Sequence, residues 1–104
     1  MNAVENQVRE LVKVELAAAN ERVPQFHSAH EGYAVIREEL EETEEKVEMS
    51  KKYLKFLWDS IKMDGKTKWA VEYMKELSIN AACEAIQVAA MAQKFLEMEN
   101  GKKG

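Results

Sequence analysis

Hydrophobic positions recur along the chain at three- and four-residue spacing, the period of an α-helix, and no stretch alternates as a strand would. Val4, Val8, Leu11, Val12 and Ala19 fall on one face of a first helix over about residues 2 to 19. Glu15 shares that face, and Leu16, Ala17 and Ala18 add helix propensity. Pro24 disfavours continuation of the helix, and Ser28-Ala29-His30-Glu31 has the spacing of a capping box. In that box the Ser28 hydroxyl accepts from the Glu31 N–H while the Glu31 carboxylate reaches back to Ser28, so a second helix begins near Ala29.

The stripe of this second helix is Ala29, Tyr33, Ile36, Leu40, Thr43 and Val47, and it keeps its phase across Ser50-Lys51-Lys52 to Leu54, Leu57, Trp58 and Ile61. Periodicity therefore allows either one helix over 29–63 or two separated near Ser50. Asp64-Gly65 is a turn signal, with Thr67 behind it as an N-cap. Trp69, Tyr73, Leu77, Glu84, Val88, Met91, Phe95 and Met98 then share one stripe, which predicts a last helix from about Lys68 to Glu99, closed by Asn100-Gly101 and followed by a frayed tail at 101–104. No internal repeat or low-complexity segment divides the chain. The expectation is a single all-α domain over residues 1–104, a four- or five-helix antiparallel bundle completed by oligomerisation, because a chain of 104 residues builds only a modest core.

Composition agrees with helices: 46% hydrophobic and 33% charged residues stand against four glycines and one proline. A net charge of −4, with no basic stripe to displace counterions from a phosphate backbone, excludes a dedicated nucleic-acid binder. Cys83 is alone and cannot form an internal disulfide, and the first residues lack a basic and apolar leader pattern, so a cytoplasmic protein is expected. No apolar run approaches the roughly 20 residues that span a bilayer, hence no membrane partner is expected.

Between Leu77 and Gln93, Glu84 is the one side chain carrying a normal charge at neutral pH, and it falls in the middle of the apolar stripe formed by Leu77, Ala81, Val88, Met91 and Phe95. A lone carboxylate there needs a cation, a metal or a proton. The run Arg37-Glu38-Glu39-Leu40-Glu41-Glu42 supplies further carboxylates. With Ile36 and Leu40 taken as the inward side, Glu39 sits roughly 80° off the stripe centre and Glu42 further round, neighbours by the i, i+3 rule. Two carboxylates so spaced repel unless something positive lies between them, and a hard divalent cation such as Mg²⁺, with Mn²⁺ as an alternative, suits carboxylates, waters and substrate phosphate. On the last helix Asn80, Glu84 and Gln87 occupy the stripe and one flank, and Lys94 lies two turns beyond, placed for an ammonium to meet a phosphate.

Simpler assignments stand beside these. The glutamates from Glu38 to Glu48 can form a solvated face paired with Arg37, Lys46, Lys51 and Lys52, and Glu84 can be salt-bridged to a Lys or Arg. His27 and His30 read as surface or packing residues, Cys83 as an inert buried thiol, and Tyr53, Trp58, Trp69 and Tyr73 as core or subunit-interface residues.

The stretches HEGYAVIREELEE and NAACEAIQVAAMAQKF together give the chain a resemblance to the MazG-like all-α nucleoside triphosphate pyrophosphohydrolases, the superfamily that includes the dimeric all-α dUTPases. The family's EExxE pattern stands here as Glu38-Glu39-Leu40-Glu41-Glu42, and the glutamate of its second motif, ExxD, as Glu84. The resemblance implies Glu39, Glu42 and Glu84 as Mg²⁺ ligands, and Glu38 or Glu39 as the base for a water attacking the α-phosphorus of a nucleoside triphosphate, releasing a monophosphate and pyrophosphate. It also implies a homodimer or homotetramer. The aspartate of ExxD is replaced by Gln87, a neutral oxygen donor. Two other readings follow: a degenerate relative that binds nucleotide or metal without hydrolysis, and a non-enzymatic helical oligomerisation module.

Overall fold

A computed structural model describes residues 4–102, and among them the chain forms three helices: α1 (Glu5–Arg22), α2 (Ala29–Lys62) and α3 (Lys68–Lys102). The expected residues 2 and 3 of the first helix and the end of the tail lie outside the described residues. The four or five helices expected of one chain reduce to three because α2 runs through Ser50 unbroken. α1 continues to Arg22 and stops where Pro24 forces Val23 into an extended conformation, at φ −135° and ψ 103°. Asn100 and Gly101 stay helical, without the positive φ of a glycine cap.

The start of α2 realises half of the capping box. The Glu31 N–H donates to Ser28 Oγ at 3.2 Å, but the Glu31 carboxylate takes its hydrogen bonds from His27, from the ring Nδ1 at 2.9 Å and from the N–H at 3.4 Å. At the other end the chain reverses by a Schellman motif in which Asp64, not Gly65, is the left-handed residue, with φ 53°. The Gly65 N–H reaches Ser60 O at 2.7 Å and the Asp64 N–H reaches Ile61 O at 3.2 Å.

The described chain divides into two compact units. Glu41–Glu84 is an antiparallel helical hairpin, the second half of α2 against the first half of α3. Ala70 and Leu77 are its buried apolar residues, and Tyr53 stacks on Tyr73 with ring centroids 5.0 Å apart while Phe56 lies 5.9 Å from Trp69. The other unit, Met1–Leu40 with Ala85–Gly104, buries Phe26, Ala90 and Met98. Gly32 permits a close helix approach there, since a Cβ on it would stand 2.5 Å from a Phe95 ring carbon.

The inward face of α2 differs in part from the expected stripe. Of that stripe Ile36, Thr43 and Leu57 are half-buried, whereas Tyr33, Leu40, Val47, Leu54, Trp58 and Ile61 are exposed, and Val35, Glu39, Glu42, Lys46 and Tyr53 are half-buried beside it. The helix carries two stripes about 120° apart, and the one bearing the carboxylates packs against the rest of the chain. Glu39 and Glu42 are thus on the inward side itself. α3 follows its expected stripe from Leu77 on: Leu77, Glu84, Val88, Met91, Phe95 and Met98 are buried or half-buried, whereas Trp69 and Tyr73 are exposed and Ala70 beside them is buried. Among the described residues no helix is long and apolar enough to cross a membrane.

Candidate functional site

Glu84 holds its place on α3 because its neighbours on the stripe, Leu77, Ala81, Val88 and Met91, must turn inward to leave water. The carboxylate is carried inward with them and is half-buried, and Glu84 Oε2 is shielded from solvent and accepts no hydrogen bond. Opposite it in the hairpin stands Glu42. The Glu42 carboxyl titrates above its ordinary range, first because it hydrogen-bonds Glu84, then through partial burial and the Glu84 charge, with the Lys46 ammonium opposing. A proton held between two facing carboxyls relieves their repulsion, as a cation there would. Glu39 precedes Glu42 by one turn of α2. Each of the three offers a carboxylate oxygen, and these oxygens lie within 4.8 Å of one another.

Three half-buried glutamates at this separation could hold a metal. Oxygen ligands about 2.1 Å from Mg²⁺ stand about 3 to 4 Å apart, so small side-chain adjustments bring the set to octahedral distances with waters filling the remainder. An all-oxygen donor set favours a hard cation over zinc or copper.

In the unit Met1–Leu40 with Ala85–Gly104, a cleft of about 370 Å³ opens beside Glu39. Gln87 lines it from α3, Glu15 and Arg22 from α1, and Glu31 from the first turn of α2. Lys94 also lines it, yet is buried to 3% exposure: its ammonium donates to the Val23 carbonyl and lies 5.0 Å from the centroid of the Phe26 ring. Burial pushes the Lys94 ammonium below its ordinary range, Glu31 pulls it back up, and the positive charge of Arg22 pushes it further down. Lys94 therefore ties the α1–α2 connection to α3 while lending positive charge to the cleft. Glu38 and Asn80 are exposed and line no part of this cleft.

Glu15, Arg22 and Glu31 are the charged cleft residues to which the sequence reading assigns no site role; it places Glu31 only in the capping box. The signal for Glu15 was its position on the apolar face of α1; Arg22 lay beyond the expected end of that helix and gave none. His27 is engaged with Glu31, and no cluster of three metal-ligating side chains among the described residues includes a histidine. Cys83 is exposed. The chain matches no family model, no curated protein and no solved structure.

Proposed function

We propose that this chain is a Mg²⁺-dependent nucleotide pyrophosphohydrolase that cleaves a nucleoside triphosphate to the monophosphate and pyrophosphate, working as a homodimer or homotetramer. The observation that carries the proposal is the convergence of the Glu39, Glu42 and Glu84 carboxylates on α2 and α3. A divalent cation bound there supplies charge neutralisation for phosphate oxygens and acidity for a water. The chain's own groups do the rest. Glu39, Glu42 and Glu84 hold the cation, and Gln87 offers a neutral amide oxygen beside it. The Arg22 guanidinium, on the cleft lining, faces the anionic end of the substrate. Of the two candidate bases, Glu39 lines the cleft and Glu38 does not, which favours Glu39 for taking a proton from the attacking water.

Incubation of the purified protein with Mg²⁺ and a panel of nucleoside and deoxynucleoside triphosphates tests this. Pyrophosphate should appear, and Glu39→Gln and Glu84→Gln should each cut its release by on the order of 10²-fold or more, the scale of losing a group that stabilises transition-state charge. A folded wild-type protein that releases no pyrophosphate from any of them with metal present overturns the reading. Gln87 favours a second one, a protein that binds nucleotide and metal without turnover. Mg²⁺-dependent nucleotide binding by calorimetry with no product formed would select it.

A further inference from the structure

The cleft beside Glu39 has two chemically different ends. Three helices of one unit line it: Glu15 and Arg22 stand on α1, Glu31 and Glu39 on α2, Gln87 and Lys94 on α3. At about 1.5 Å per residue, each of these pairs spans roughly 10–12 Å along its helix. Lys94 meets Val23 and feels the charges of Glu31 and Arg22, so these groups share one end, and Glu15, Glu39 and Gln87 lie toward the other. The end away from Glu39 is cationic and lacks a dedicated counter-ion. Arg22 is exposed and pairs with no carboxylate among the described residues, while Glu31 is hydrogen-bonded to His27. A nucleotide whose reacting phosphates sit at the Glu39 end presents charge to the far end through its terminal phosphate, since the nucleoside is neutral.

The two cations at that end are not equivalent. Lys94 is 3% exposed, donates to the Val23 carbonyl and stands over the Phe26 ring, so little of its ammonium is left for a ligand. Arg22 is the last residue of α1. Side chains on a helix lean toward its N-terminus, which tilts the guanidinium from the helix end back over the cleft. That helix end has few other restraints. α1 buries no residue, its last carbonyls have no partner within the helix, and Pro24 cannot prolong it. The Val23 carbonyl, one residue beyond Arg22, is held by Lys94, and Phe26, buried against the same ammonium, anchors the connection on the far side of Pro24.

We propose that Lys94 is a positioning residue: by holding the Val23 carbonyl it fixes the end of α1, so that the Arg22 guanidinium, and not the Lys94 ammonium, meets the terminal phosphate of the substrate. The proposal rests on the reading of this cleft as the place of a phosphorylated ligand.

Calorimetry of the full chain with Mg²⁺ and inorganic triphosphate tests it without turnover. Arg22→Gln and Lys94→Met, each checked for helicity by circular dichroism, should weaken binding about tenfold, the scale of one charge-assisted hydrogen bond. In an Arg22→Gln background, Lys94→Met should cost nothing further. Amide exchange over residues 19–23 should quicken in Lys94→Met and keep its wild-type rate in Arg22→Gln. Met retains the apolar length of the lysine chain. If that variant does not fold, Lys94→Gln takes its place, with the same absence of further loss expected in the Arg22→Gln background. A further tenfold loss there makes Lys94 itself a ligand of the anion and overturns the proposal. Unchanged affinity in either single variant, or a wild type that binds no triphosphate, overturns it too. Binding that follows the expected pattern in a protein releasing no pyrophosphate from nucleotides overturns the hydrolase reading alone.

Discussion

At the scale of single residues, the proton on Glu42 is the most informative feature. The folded chain holds it to a higher pH than the unfolded chain, whose ordinary value is 4.5, because Glu84 hydrogen-bonds the protonated carboxyl. In that window the folded state binds more protons than the unfolded state, so the stability of the metal-free protein falls as pH rises from about 4.5 through the raised titration. Glu31 slopes the other way and lower. The hydrogen bond with His27 holds its carboxyl below the ordinary range, so that contribution is present above 4.5 and lost as pH falls. The two are separated by comparing variants. Thermal unfolding in chelator as a function of pH should show the decline above pH 4.5 in the wild type and a flatter profile in Glu84→Gln. An identical decline in both proteins would show that Glu84 does not hold the proton on Glu42.

Among the elements, α3 was legible and the facing of α2 was not, for a physical reason. Between Leu77 and Gln93 α3 is largely apolar with Glu84 as its one charge, so the inward stripe there follows from periodicity alone, whereas Trp69 and Tyr73, expected on the same stripe, are exposed. α2 has two candidate stripes, and hydrophobicity singles out Tyr33, Leu40, Val47 and Leu54, which the structure leaves exposed. The pattern marks a surface to be covered without saying by what. The face actually packed carries Glu39, Glu42 and Lys46 with Val35 and Tyr53, and the expected stripe touches it at Ile36, Thr43 and Leu57, which are half-buried. The capping box was read correctly at Ser28, whereas the partner of the Glu31 carboxylate depends on where His27 is held, a tertiary matter. Gly32 had no signal either, since its role needs Phe95 from another helix. Gly32→Ala should gain about 0.5–1 kcal/mol of helix propensity. A Cβ at 2.5 Å from the Phe95 ring must displace that ring, at a cost of about 1–3 kcal/mol. The net expectation is a loss of up to about 2.5 kcal/mol in denaturant unfolding, and a stabilised variant would show that the Phe95 ring yields freely.

For the whole molecule, stability should be coupled to the cation. Apolar burial is thin: Phe26, Ala70, Leu77, Ala90 and Met98 are the buried hydrophobic residues among those described, and α1 buries none. Domains of this size rest on only about 5–15 kcal/mol, so relief of the repulsion among three glutamates is a sizeable fraction of the whole. A cation that binds only the folded chain at about a hundred times its dissociation constant adds about 2.7 kcal/mol. At about 4–8 °C per kcal/mol for a domain near this length, Mg²⁺ should raise the midpoint of thermal unfolding by more than 10 °C, roughly. Sodium chloride at matched ionic strength should not reproduce the shift, because screening acts on every exposed charge whereas coordination needs these oxygens. Glu84→Gln should abolish the shift, and raising the pH should enlarge it in the wild type, since the cation displaces the proton on Glu42. Equal shifts from Mg²⁺ and sodium, or an undiminished Mg²⁺ shift in Glu84→Gln, would show that the carboxylates answer to general charge screening and do not close around a metal.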